Sequence, residues 1–289
     1  MSDVVKISTP RLTIEGRSRA GNESWFRVKE LGVALDIGRC PDVLVGVPHI
    51  FVTHSHLDHA LGIPFYASQR NLQSLPIGTV YVPAENLDDF HELMRIHGKL
   101  ESTTYDLELV GMNPGDERDL RRDLVVRAHA STHRVAARSY EFLEKRRRLL
   151  PQFQGESGEE LARLRGSEVV TTADELHSLL LYTGDTDAGI FETTTAVFHT
   201  DVLMIECSFV EEGDQSRAAR YTHLHLDDIF ERADMFRNEL IILTHFSLRN
   251  SPVAIHVEVD RRCPAILRER LRLALPEPHS QLFAGSSVR

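Results

Sequence analysis

Seven short apolar runs punctuate the chain: VALDIG (33–38), HIFVTHSH (49–56), TVYVP (79–83), LVVRAHAS (124–131), SLLLYTGDT (178–186), VLMIECSF (202–209) and LIILTHFS (240–247). Their length, β-branched content and flanking turn residues predict strands. Several are apolar nearly throughout, as expected of strands covered on both faces by other layers. Between them, residues 84–98 and 226–238 carry helical spacing. In the second, Leu226, Ile229, Phe230, Ala233 and Phe236 mark one face of a helix. Neither an internal repeat nor a low-complexity linker interrupts the pattern, so one domain over residues 1–289 is expected. The opening MSDVVKISTPRLTIEG alternates like a strand and lacks a charged-then-apolar leader, so no signal peptide is expected.

The stretch 141–177 breaks the rhythm. It is charged, interrupted by Pro151 and Gly155, and lies between two predicted strands. It reads as a surface insertion containing helix, and insertions of that length in a compact domain are usually functional or mobile.

Composition narrows the class. A hydrophobic content of 42% and a charged content of 26% are ordinary for a globular domain with a full core. No run of about 18 apolar residues occurs, which argues against a membrane helix. Cys40, Cys207 and Cys263 are too few and too scattered for a disulfide framework or a cysteine zinc site, and a reducing, cytoplasmic compartment is expected. The net charge of −10 argues against indiscriminate nucleic-acid binding by the whole surface. Locally the balance shifts: Arg138–Arg148 holds five basic and two acidic side chains, ending in Lys145-Arg146-Arg147-Arg148. A solvated helix face is the ordinary explanation of such a run.

The chemistry-bearing residues sit just past the C-terminal ends of apolar runs, where open α/β sheets place their ligands. His54, His56, Asp58 and His59 follow HIFV within six residues. Alternation puts His54 and His56 on one side, and a turning chain brings Asp58 and His59 to a second ion beside the first. Imidazole with carboxylate is a normal zinc set that leaves a position for water. Asp185 follows the strand ending at Tyr182, and its two oxygens suit a bridge between two metals. His245 follows a third strand. After LVVRAHAST, His129 and His133 compete for one further ligand position.

The order H-x-H-x-D-H, then His, then GD, then TH resembles the metallo-β-lactamase superfamily, and within it the RNase Z family, which removes 3′ trailers from precursor tRNA. The likeness runs from about Asp36 to Arg249, through LDIG, HLDHALGIPFYASQR, STHRVAARSYEF, YTGDT and THFSLR. Spacing to Tyr140 within the third of these selects His133 over His129. DVLMIECSF resembles the strand ending in the family's glutamate, here Glu206, and Thr222-His223 resembles the segment with the histidine that pairs with it.

The resemblance implies an α/β, four-layer αββα sandwich with a short inserted arm. It implies two Zn2+ per chain, with Mn2+ or Fe as substitutes. His54, His56 and His133 would hold one ion, Asp58, His59 and His245 the other, with Asp185 bridging. Glu206 would orient His223 to protonate the leaving group, and Asp58 would orient the attacking water or take its proton. His225 reads as a helix-start residue. The implied substrate is precursor tRNA, with a small phosphodiester as the alternative, and the implied assembly is a homodimer in which one arm serves the other site. Arg138, Lys145 to Arg148 and the Arg118–Arg127 run are the candidate RNA contacts. The chain departs from the family in two places. Leu57 stands where glycine is usual, which would shift the second metal or narrow the mouth, and the arm lacks its Gly-Pro tip.

Overall fold

The computed structural model describes residues 4–277 apart from residue 168. Two mixed sheets face each other. The first runs, in spatial order, through β1 (Val5–Ser8), β2 (Thr13–Ala20), β3 (Glu23–Val28), β4 (Val33–Leu35), β5 (His49–Phe51), β6 (Gly78–Pro83) and β7 (Leu107–Met112). The second holds β8 (Glu117–Arg121), β9 (Leu124–Ser131), β10 (Ala137–Leu149), β11 (Thr172–Tyr182), β12 (Val202–Glu206) and β13 (Leu240–Thr244), ending on β15 (Leu271–Leu273). The short β14 (Phe246–Ser247) crosses from β13 to pair with β2 of the first sheet.

Strand alternation fixes the layers. Phe26, Leu35, Phe51, Phe142, Tyr182, Met204 and Ile242 fill the space between the sheets. On the outer face of the first sheet, Ala34, Ile50, Val80 and Val82 pack against Ile63, Tyr66, Phe90 and Met94 of the helices Ile63–Leu72 and Leu87–Glu101. On the outer face of the second, Leu203, Ile205, Ile241 and Leu243 meet Ile229, Ile255 and Val259 from the helices Leu226–Phe230 and Pro252–Arg262. Neighbouring residues of β12 thus point to different layers, as a period of two requires. Three apolar interfaces make four layers, the expected αββα sandwich.

The chemistry-bearing strands β5, β11, β12 and β13 all have parallel neighbours. Their C-terminal ends therefore emerge on one side of the sandwich, where loops carry the site.

Two expectations are corrected. The helix expected over 226–238 is α-helical only at Leu226–Phe230. Beyond it the chain tightens into i to i−3 turns, from Arg232 to Ile229, Ala233 to Phe230 and Met235 to Arg232. Ala233 and Phe236 are buried all the same, so the apolar spacing was obeyed by turns. The insertion expected over 141–177 contains its helix, Gly158–Gly166, but both of its ends are strand. β10 and β11 pair antiparallel from Tyr140 and Tyr182 out to Leu149 and Thr172, so the arm is an extension of the sheet.

The basic run Lys145–Arg148 therefore lies along a strand, not on a helix face. Each member meets an acid: Lys145 with Asp119 (2.5 Å), Arg146 with Glu144 (2.6 Å), Arg147 with Asp174 (3.6 Å) and Arg148 with Glu175 (2.5 Å). Arg138 is buried and bonded to Glu85, and Arg127 pairs with Glu117 at 2.6 Å. These side chains are committed within the protein. Among the described residues no helix is long and apolar enough to cross a membrane.

Candidate metal centre

Past β5 the backbone turns through Thr53–His56 into the one-turn helix Leu57–Ala60. That turn sends His54 and His56 one way and Asp58 and His59 another. Nε2 of His54 lies 3.0 Å from Nδ1 of His56, which lies 3.3 Å from Nε2 of His133. With Asp185 these residues bring four donor atoms within 4.8 Å of one another. A second group joins Asp58, His59 and His245. Nε2 of His59 and Nε2 of His245 are 3.2 Å apart, and Oδ2 of Asp58 is 3.5 Å from each.

Asp185 spans the two groups. Oδ2 faces His54 at 3.6 Å and His133 at 3.9 Å, while Oδ1 faces His59 at 3.5 Å and His245 at 3.3 Å. Its position depends on Gly184, which has φ +59 and lies where a Cβ would strike the Thr53 side chain at 2.6 Å. Only glycine meets both conditions. His245 and Asp36 also adopt positive φ, 58 and 55, which is uncommon outside glycine and concentrates at functional sites.

The donor set fits divalent ions. Nδ1 of His54 bonds to Thr53 (3.0 Å), that of His59 to Asp36 (2.7 Å), that of His133 to the Thr222 carbonyl (3.1 Å) and that of His245 to Ser208 (3.0 Å). With each Nδ1–H so engaged, each Nε2 presents a lone pair to the centre, the tautomer control expected around a metal. Oδ1 of Asp185 is buried without a hydrogen-bond partner. An orphaned carboxylate oxygen among converging imidazole nitrogens is costly unless a cation lies between them.

Electrostatics agree. Burial, then repulsion from His59, His133 and His56, holds His54 well below the usual histidine range despite Asp185. Burial likewise lowers His56 and His133. Neutral imidazole is the ligating form. His59 runs the other way: burial opposes its charge, but Asp185 and Asp36 outweigh burial and raise it well above that range.

Beside the second group, Nδ1 of His223 bonds Oε1 of Glu206 at 2.7 Å. The carboxylate is fully buried and also accepts from Thr186 N, Ser208 N, Ser208 Oγ and Leu224 N. Burial works against charge on His223, yet Glu206, through its charge and hydrogen bond, and Asp185 raise its pKa to about 9. His223 lines an open cavity of about 150 Å3 shared with His56 and His133. A larger cavity of about 520 Å3, lined by His256, Asp260, Cys263 and Arg268, lies away from these residues, and the ligand chemistry is in the smaller one.

Residues 35–246 match the model of the beta-lactamase superfamily domain. Over 256 residues the chain is 34% identical to a tRNase Z of Arabidopsis thaliana, covering 88% of this chain and 91% of that one. The chain belongs to the tRNase Z family. A chloroplastic tRNase Z of the same plant is 31% identical over 261 residues, 89% of this chain and 72% of its own length. Among solved structures, the short form of human tRNase Z shares the fold at a TM-score of 0.56 and 17% identity, over 95% of this chain and 96% of that one.

Against the tRNase Z pattern, Leu57 is 70% exposed and is not among the residues that line the cavity over His56, His133 and His223. His129 lies off the centre, bonded to Glu141 at 2.8 Å. His225 caps the helix Leu226–Phe230 by accepting from Asp227 N. Sequence reasoning missed Ser208, which bonds Glu206 at 2.7 Å and His245 at 3.0 Å and so ties the two halves of the site. Its offset of two from Glu206 was the available signal. Tyr182 was missed as a donor to Asp36 (2.8 Å), as was the backbone N–H of Gly21, which bonds Asp58 at 2.8 Å and has no sequence signature.

Proposed function

We propose that this chain is a metal-dependent endoribonuclease that cleaves 3′ trailers from precursor tRNA, with two zinc ions per chain and Mn2+ or Fe as possible substitutes. The observation that carries the reading is the Glu206–His223 pair beside two histidine–aspartate groups joined by Asp185. The curated relatives named tRNase Z support the substrate.

In this reading His54, His56 and His133 hold one ion, Asp58, His59 and His245 the other, and Asp185 bridges. Such an ion pair supplies an activated water at neutral pH and neutralises charge on a phosphate. The chain's own residues do the rest. Asp36, Thr53, Ser208 and the Thr222 carbonyl fix the imidazole rings. Asp58, held by the Gly21 N–H, is placed to orient the attacking water or accept its proton. Glu206 accepts the hydrogen bond of His223 Nδ1–H, leaving Nε2–H toward the cavity to protonate the departing oxygen.

We further infer a homodimer and a cytoplasmic location. The stripe Leu57 (70% exposed), Leu61 (50%) and Phe65 (46%) supports an apolar contact between copies, and three free, buried cysteines suit a reducing compartment.

The test is incubation of metal-loaded protein with a precursor tRNA bearing a 3′ trailer, alongside a chromogenic phosphodiester. Release of the trailer with a free 3′-hydroxyl on the tRNA is expected. Turnover of the small diester alone would replace this reading with a small-phosphodiester hydrolase.

A further inference from the structure

A nuclease must seat the nucleotides beside the bond it cuts, and the arm's cations are already paired with acids. Other cations stand at the mouth of the site. The cavity over His56, His133 and His223 is also lined by Arg134, Phe209 and Tyr221, and among the described residues no carboxylate lines it. Arg134 is exposed, follows His133 directly, and has no ion-pair partner among the described residues. Tyr221, 37% exposed, ends the helix Gln215–Tyr221. The guanidinium carbons of Arg217 and Arg220 sit 6.0 Å and 5.7 Å from its ring centroid. Phe209 is nearly buried, its ring 6.2 Å from that of His223, and gives the cavity an apolar wall.

An exposed aromatic ring flanked by arginines and opening onto a cavity without acids is the chemistry that receives single-stranded nucleic acid. We propose that Tyr221 is the platform on which one unpaired ribonucleotide adjoining the scissile phosphate stacks, with Arg134, Arg217 and Arg220 binding the neighbouring phosphates. The proposal rests on the endoribonuclease reading and adds to it the class of group the mouth accepts. The three residues Tyr221-Thr222-His223 then link the pieces in series: the ring receives the base, the Thr222 carbonyl holds Nδ1 of His133 at 3.1 Å, and His223 faces the leaving oxygen.

The experiment pairs protein variants with altered substrates. Metal-loaded wild type, Tyr221→Ala and Tyr221→Phe are assayed on precursor tRNA, on the same RNA with an abasic nucleotide next to the cleavage site, and on a chromogenic diester without a base. Tyr221→Ala is expected to lower kcat/KM on precursor tRNA by about tenfold or more relative to its effect on the diester, and Tyr221→Phe to restore most of the loss. With the abasic RNA, Tyr221→Ala should add little further loss. Arg134→Gln should flatten the log–log salt dependence of RNA binding by about one unit. Equal losses on RNA and diester, or abasic and Tyr221→Ala losses that multiply, would overturn the proposal. Binding of a hexauridylate by fluorescence polarisation separates it from the parent reading. If wild type leaves precursor tRNA intact yet binds hexauridylate through Tyr221, the nuclease reading fails and the subsite stands. If binding ignores Tyr221→Ala, the subsite fails.

Discussion

The carboxylate of Glu206, fully buried, holds Nδ1 of His223 at 2.7 Å. An imidazolium so oriented suits a leaving oxygen that departs unprotonated unless it is given a proton. His223→Ala is expected to reduce turnover of precursor tRNA by roughly 10²–10⁴-fold, with metal content unchanged by elemental analysis. A nitrophenyl diester, whose leaving group needs little protonation, should lose much less. Equal losses on both substrates would reject the proton-donor role.

The same pair gives a pH signature in the chelated, metal-free protein. The pKa of His223 is raised from 6.5 to about 9. Stability from that rise is fully present below about 6.5 and lost as pH climbs through 9. It amounts to on the order of 3 kcal/mol. Urea midpoints measured from pH 6 to 10 should fall across that window, and Glu206→Gln should remove most of the fall. An unchanged slope in Glu206→Gln would show that other groups carry it.

Asp185 turns one oxygen to each ligand group, so its loss should reach both. Elemental analysis of wild type is expected to give about two ions per chain. Asp58→Asn should remove chiefly one and Asp185→Asn weaken both. A full complement in Asp185→Asn would dismiss the bridging assignment. Because Asp185 and Asp36 raise the pKa of His59 in the metal-free protein, metal uptake should release protons, seen as buffer-dependent heats in titration calorimetry.

Tyr182 reaches the site only through Asp36, to which it donates at 2.8 Å. Asp36 also accepts from Thr53 and His59. Tyr182→Phe is expected to weaken metal binding about 10–100-fold, the usual effect of removing a partner behind a ligand. Competition with a chromogenic chelator reads this directly. Unaltered affinity would mean Thr53 suffices to hold Asp36.

On the arm, neutralising Lys145–Arg148 together should flatten the salt dependence of RNA binding by about one unit or less, far below the four units that four free cations would contribute. Their partners Asp119, Glu144, Asp174 and Glu175 already offset them. A slope change near four would show that RNA displaces those acids.

The ligand groups were legible because strand ends and metal-donor residue types coincide at His54–His59, Asp185 and His245. The αββα layering was legible too, since β5, β12 and β13 are apolar on both faces. The outer parts of β10 and β11 were not. There the exposed positions hold ion pairs, so Arg147 against Asp174 satisfies a strand without the alternation that announces one. Nor did any local pattern reveal that Arg138, inside a basic run, turns inward to Glu85, because its partner lies 53 residues away.

The helix Gln215–Tyr221 stops on Thr222 in the left-handed conformation, φ 57. Each helical residue turns the chain by about 100°. One residue more or fewer in this helix would therefore swing the Thr222 carbonyl off His133 and His223 off Glu206 together. Length variation among relatives is thus expected in the arm and excluded here, where a single-residue deletion would silence the enzyme while leaving its core intact.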